Sequence, residues 1–172
     1  MREVEIKILE VNVSSLVAKL KKLGAKKVFE GEMIGYAYDF PDGRLKKNGS
    51  FLRLRSKGDH FELTFKKSIQ SKKAKIAEEY QVSLKEGKAA QKIVQSLGLK
   101  QIRKGTKKRI SYSLGKINFD IDKYDENPAL FEIEAPDVKT LHHWVKKIGF
   151  SLTDMKLWNG KQVFKYYGKK QD

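Results

Sequence analysis

The chain has 172 residues, 37 of them Lys or Arg against 21 Asp or Glu, for a formal charge of +16 at neutral pH. At roughly 150 residues per domain, this length predicts one domain over residues 1–172 with a substantial core, and the 40% hydrophobic content argues against wholesale disorder. With no cysteine and three histidines (His60, His142, His143), disulfides, thiolate metal sites, iron–sulfur clusters and a cysteine nucleophile are excluded, and little remains for a Ser-His-Asp triad.

No apolar run approaches the ~20 residues that span a bilayer, and the start MREVEIKILEV alternates charged and aliphatic residues, unlike a signal peptide. A cytoplasmic location with no membrane partner is expected. The charge points to polyanionic company: nucleic acid, an acidic surface or phosphorylated small molecules.

In chain order, residues 3–9 read as a strand with Glu3, Glu5 and Lys7 on one face and Val4, Ile6 and Ile8 on the other. Val13, Leu16, Val17, Leu20 and Leu23 make a helical stripe stopped at Gly24. Residues 27–40 read as one or two strands around Gly31 or Gly35, ending at the turn Pro41-Asp42-Gly43. Residues 50–55 and 60–66 form a hairpin about Gly58, and a lysine-rich loop over 68–74 precedes a strand at 76–84. A short helix over 87–97 is followed by a hairpin of 107–114 and 116–122 around Gly115, and then by a strand at 130–135. Asp137 caps a helix running to Ile148, and 160–167 suits a last short helix. Seven or eight strands with three or four helices predict an α+β fold: a closed or nearly closed antiparallel barrel, eight-stranded, with flanking helices.

The polar faces of these strands are unusual. Glu3 and Glu5 share a face, as do Arg53 and Arg55, Asp120 and Asp122, Glu132 and Glu134, and Lys107 and Arg109. A solvated outer face explains any single pair. Like charges two residues apart on five strands fit better inside a closed barrel, provided that something of mixed charge fills it. Carboxylates suit hard divalent cations, and Arg and Lys suit phosphate oxygens, so a metal–polyphosphate complex would satisfy both. The lysines around 19–27 and 66–75 read as solvated surface that steers anions, with a nucleic-acid stripe as the sharper alternative. The aromatics, Trp144 included, read as packing residues. No P-loop or Rossmann fingerprint occurs.

Glu3-Val4-Glu5-Ile6-Lys7 resembles the ExExK signature that opens members of the CYTH superfamily, the triphosphate tunnel metalloenzymes. The LRLR of residues 52–55, Lys66, Glu79, the Lys107/Arg109 strand, Asp120/Asp122 and the Phe131-Glu132-Ile133-Glu134 run follow in that family's order. The resemblance implies a divalent-metal-dependent enzyme using Mg2+ or Mn2+ to hydrolyse a linear triphosphate: inorganic tripolyphosphate, a nucleoside triphosphate or thiamine triphosphate. The alternatives are an adenylyl cyclase that makes cyclic AMP and pyrophosphate from ATP, and a non-catalytic polyphosphate- or nucleic-acid-binding module. It implies that Glu3, Glu5, Glu79, Glu132 and Glu134 bind metal with Asp120 or Asp122, Asp120 being preferred. It further implies that Arg53, Arg55, Lys66, Lys107 and Arg109 grip the triphosphate while Lys7 and Lys156 approach the reacting end. The expected partner is a triphosphate-bearing small molecule rather than nucleic acid, and a homodimer stays open. Two departures stand out. Ala77, Glu79 and Gln81 replace the Arg-x-Glu-x-Glu alternation of cyclase-like members, and Lys156-Leu157-Trp158 alters the C-terminal Lys-Ser-Tyr-like motif.

Overall fold

The computed structural model describes residues 2–124 and 127–169. Eight antiparallel strands close a barrel in the order β1-β5-β4-β3-β2-β6-β7-β8. The strands are β1 (Arg2–Ile8), β2 (Lys26–Asp39), β3 (Ser50–Lys57), β4 (His60–Ile69), β5 (Lys75–Leu84), β6 (Lys100–Leu114), β7 (Ile117–Lys123) and β8 (Leu130–Ala135). Five α-helices flank it among the described residues: α1 (Val13–Lys22), α2 (Arg44–Lys47), α3 (Gly87–Ser96), α4 (Val138–Ile148) and α5 (Gly160–Tyr166). None of them is long and apolar enough to cross a membrane.

The apolar core lies outside the barrel wall, beneath the helices. Val4, Ile6, Phe119, Ile121, Phe131 and Ile133 point outward and are covered by Leu16 and Leu20 of α1 and by Leu141, Val145 and Ile148 of α4. Trp144 packs edge-on against Phe119, with centroids 5.5 Å apart, so it serves as a packing residue. A second cluster of Tyr38, Leu54, Ala90, Val94 and Leu99 lies under α3. Each large side chain buried this way contributes about 1.5–3 kcal/mol, which frees the inner face from supplying the core.

Local sequence fixes most boundaries. Asn12 accepts a hydrogen bond from Ser15 N (3.0 Å) and starts α1, while Asp137 does the same for α4 from Thr140 N (2.8 Å). Lys19 Nζ donates to Ile148 O (2.7 Å) and ties α1 to the end of α4. The two-residue turn of the β3–β4 hairpin needs a left-handed residue, supplied by Gly58 at φ +63°.

β2 is a single strand running through both Gly31 and Gly35, one of the two readings that its sequence allowed. Two elements differ from expectation. β6 begins at Lys100 rather than Lys107, because its first half faces water on one side and the charged barrel interior on the other, leaving no apolar alternation to read. The helix α2 is held by Asp39, whose carboxylate accepts from Phe40 N (2.7 Å), Leu45 N (2.9 Å) and Lys46 N (3.1 Å).

Candidate functional site

Pairing register decides which side chains share the inner wall. Glu5 of β1 stands opposite Glu134 of β8 and Lys75 of β5, and Lys7 stands opposite Glu132. Glu132 faces Asp120 on β7, Asp122 faces Arg109 on β6, and Lys107 is two residues before Arg109 on β6. On the other side, Arg53 and Arg55 of β3 oppose Thr64 and Glu62 of β4, and Lys66 opposes Glu79 of β5. Glu3, Glu5, Lys7, Arg53, Arg55, Lys66, Glu79, Lys107, Arg109, Asp120, Asp122, Glu132 and Glu134 therefore line one interior. Lys156 is at its margin: its backbone pairs with Lys7 (3.0 and 2.7 Å), and its ammonium lies 5.6 Å from the Trp158 ring centroid.

The wall is crossed by ion pairs. Lys7 Nζ reaches Glu132 at 2.8 Å and Glu5 at 3.2 Å. Lys66 bridges Glu3 and Glu79, the latter at 2.7 Å, and Lys75 pairs with Glu5. Arg55 forks onto Glu62 with Nε at 3.0 Å and Nη2 at 2.5 Å. Asp122, with no exposed surface, takes Lys107 at 2.5 Å and both Nε and Nη2 of Arg109 at 2.5 Å. Arg109 also reaches Asp120 and, at 2.6 Å, Glu132, while Ser111 Oγ donates to Asp120 at 2.5 Å. Of the two aspartates, Asp122 is the one fully taken up in holding bases.

Some participants escape sequence reasoning. Glu62 and Thr64 alternate with the apolar residues of β4 just as Lys66 does, so the same signal was present for them. Arg103 lies on the unrecognised first half of β6; its guanidinium is 5.8 Å from the Phe51 ring centroid, and that of Arg53 is 6.0 Å from the same ring. Tyr124 follows β7 with its ring 5.9 Å from Lys107 Nζ and edge-on to Phe164 of α5 at 4.9 Å. Lys75 places a cation beside Glu5, on the strand where Ala77 and Gln81 leave the expected charges out; Gln81 instead accepts from Thr64 Oγ1 (3.0 Å).

Burial and neighbours pull the titrations apart. Burial, reinforced by Glu5, pushes Glu3 up to about 8 against the pull of Lys66, and a hydrogen bond links it to Glu79. Burial also raises Glu134. Against burial, Lys7 and Lys75 hold Glu5 low, and Lys7 and Arg109 hold Glu132 well below the carboxylate range. Burial and then the Arg109 charge bring Lys107 down to about 8. Burial, with Arg55 and Arg109 nearby, brings Arg53 down to about 10.

Two groups are left over. Arg53 has no carboxylate within ion-pair distance among the described residues, and its buried Nε has no hydrogen-bond partner. Glu134 likewise has neither an ion-pair nor a hydrogen-bond partner among them. No three acidic or histidine side chains stand together as an assembled metal cage among the described residues, since most carboxylates turn toward Lys or Arg. The donor set nonetheless consists of carboxylate oxygens alone, which suits a hard divalent cation rather than zinc or copper. The wall is bare where β2 and β6 meet: Gly35 pairs with Gly105, Ala37 with Arg103, and a Cβ at Gly105 would meet nothing within 4 Å.

A protein of Methanocaldococcus jannaschii named "putative adenylate cyclase" is 28% identical over 134 residues, covering 78% of this chain and 77% of that protein. Among solved structures, a "putative adenylate cyclase" of Vibrio parahaemolyticus superposes with a TM-score of 0.79 at 18% identity, covering 95% of this chain and 97% of that one. A Hippeastrum protein, described as a "putative adenylyl cyclase" with a dominant triphosphatase activity, superposes at 0.66 with 15% identity, covering 97% and 96%. The CYTH domain matches residues 1–167, nearly the whole length of the sequence, and the chain belongs to the CYTH family.

Proposed function

We propose that this protein is a divalent-metal-dependent enzyme that hydrolyses a linear triphosphate inside the barrel. The observation that carries the reading is the pair of complementary orphans: the Arg53 guanidinium, its Nε buried and without an anion, and the half-buried Glu134 carboxylate, without an ion-pair partner. Buried charges lacking partners are costly, and a metal–triphosphate complex would supply both at once. Glu3, Glu5, Glu79, Glu134 and Asp120 would hold Mg2+ or Mn2+, which when bound withdraws charge from the phosphoryl oxygens.

The chain's own groups do the rest of the positioning. Arg53 offers its free fork to phosphate oxygens, and Arg55 is held ready by Glu62. Lys66, which bridges Glu3 and Glu79, would neutralise phosphate charge once those carboxylates held a cation. Asp122 fixes Lys107 and Arg109 at the Lys7 end, where charge builds on the departing group. Water is the favoured nucleophile because β5 lacks the charges at residues 77 and 81 that cyclase-like members carry. Without metal, the carboxylates that hold the tunnel's Lys and Arg side chains would compete with an anionic ligand for them, which disfavours a purely binding role.

Incubating the protein with tripolyphosphate or ATP, with and without Mg2+ or Mn2+, and measuring phosphate, pyrophosphate and cyclic AMP tests the reading. Metal-dependent phosphate release from either substrate is expected. Turnover in excess chelator, or cyclic AMP as the main product from ATP, would contradict it.

A further inference from the structure

The charges of the inner wall nearly cancel. Its eight carboxylates (Glu3, Glu5, Glu62, Glu79, Asp120, Asp122, Glu132, Glu134) face nine cations (Lys7, Arg53, Arg55, Lys57, Lys66, Lys75, Arg103, Lys107, Arg109). Nearly all of the formal excess of +16 therefore belongs to the rest of the chain, and the tunnel does not explain it.

Part of that excess is gathered at one end of the barrel. There β2 ends, β3 begins, β4 ends and β5 begins, and Ser68 N donates to Gly49 O (2.9 Å) to hold the two connections side by side. Arg44, Lys46 and Lys47 on α2 thus lie at the same end of the barrel as Lys67 near the end of β4 and as Lys72 and Lys73 in the following loop. All six are exposed. The loop is braced from behind by His142, whose Nε2 lies 3.4 Å from Lys73 O. Local acids offset only part of the six: Asp39 is buried with its oxygens on backbone N–H groups, while Asp42 pairs with Arg44 at 3.1 Å and exposed Glu78 stands opposite Lys67. At the opposite end, exposed Glu30, Asp59, Glu86 and Asp137 are interspersed with Lys26, Lys27, Lys85 and Lys116, and Lys27 is paired with Glu30 at 2.6 Å. The collar also carries a cation–aromatic pair, with the Arg44 guanidinium 4.2 Å from the Phe40 ring centroid.

We infer that this collar is a docking surface for a single-stranded nucleic acid, distinct from the tunnel it surrounds. Spaced ammonium groups match a chain of phosphates, and an aromatic–guanidinium pair offers a face on which a base can stack. A membrane fits less well, because α2 has only four residues and cannot present the long apolar face of an interfacial helix. The two lysine groups are far apart in sequence, and closing the barrel is what joins them.

The test is fluorescence anisotropy of a labelled 20-residue oligouridylate bearing a 5′-hydroxyl, which gives the tunnel no triphosphate to grip. Binding should weaken steeply with salt. The double variants Lys46→Glu/Lys47→Glu and Lys72→Glu/Lys73→Glu should each lower affinity on the order of tenfold or more and flatten the salt dependence. Arg53→Ala should leave affinity unchanged, and the collar variants should hydrolyse tripolyphosphate with unaltered kcat. No binding at 50 mM salt, equal loss with Arg53→Ala, or collar-dependent binding to phosphatidylserine vesicles but not to the oligonucleotide would overturn the inference. Since binding is read without turnover, failure of the triphosphatase reading would leave this result standing.

Discussion

Arg53 concentrates the energetic problem of the tunnel in one side chain. Arg55 and Arg109 are held in carboxylate forks, whereas Arg53 is buried beside other cations without one. Arg53→Ala should therefore lower kcat/KM for tripolyphosphate on the order of 10²–10³-fold, the usual loss of one group aimed at developing charge. The melting temperature should stay level or rise, because a buried, poorly compensated charge is removed. Steady-state kinetics and thermal unfolding read the two effects separately, and a large drop in melting temperature would mean that Arg53 is structural. Glu3 makes the complementary case. Unfolded it titrates near 4.5 and folded near 8, so the native state binds the extra proton and stability falls as pH rises from 4.5 through 8. A divalent cation would relieve that repulsion once the carboxylate is ionised. The rise in melting temperature on adding Mn2+ should thus be larger at pH 8 than at pH 5, and Glu3→Gln should remove most of the difference. An equal rise at both pH values for the wild-type protein would place the cation elsewhere.

Strands were legible in this sequence wherever one face was apolar. The alternation in β1, β7 and β8 showed both the outward core and the inward charges, and Asp137 marked the start of α4. Legibility failed where neither face was apolar. The first half of β6 looks polar throughout because it separates water from a charged interior, and Arg103 was lost with it. The helix α2 depends on Asp39, a side chain outside the helix whose oxygens are fixed only once β2 ends beside it. Tyr124 lies beyond the last charged pair of β7, and only the arrival of α5 with Phe164 shows that it faces Lys107. The small residues of β2 and β6 carry meaning only as a pair of strands: Gly35 and Gly105 leave the lumen open. Gly105→Leu should fold with little change in melting temperature, since a Cβ there meets no atom within 4 Å, yet narrow the passage and reduce kcat/KM. Unfolding at a much lower temperature would show that the glycine serves the strand instead.

At the scale of the whole molecule, the barrel is turned inside out relative to most soluble barrels. Apolar faces look outward to α1, α3 and α4, and charges look inward. The helices thereby supply the core that the lumen cannot, and the lumen is left free for a ligand that is itself part anion and part cation. Crystals grown with Mn2+ and a non-hydrolysable tripolyphosphate analogue would test this most directly, through the anomalous signal of the metal. Manganese is expected in the lumen on Glu134 and its neighbouring carboxylates, with phosphate oxygens on Arg53. Manganese or phosphate bound only at the outer surface, with the Lys66–Glu3 and Lys66–Glu79 pairs undisturbed, would contradict it.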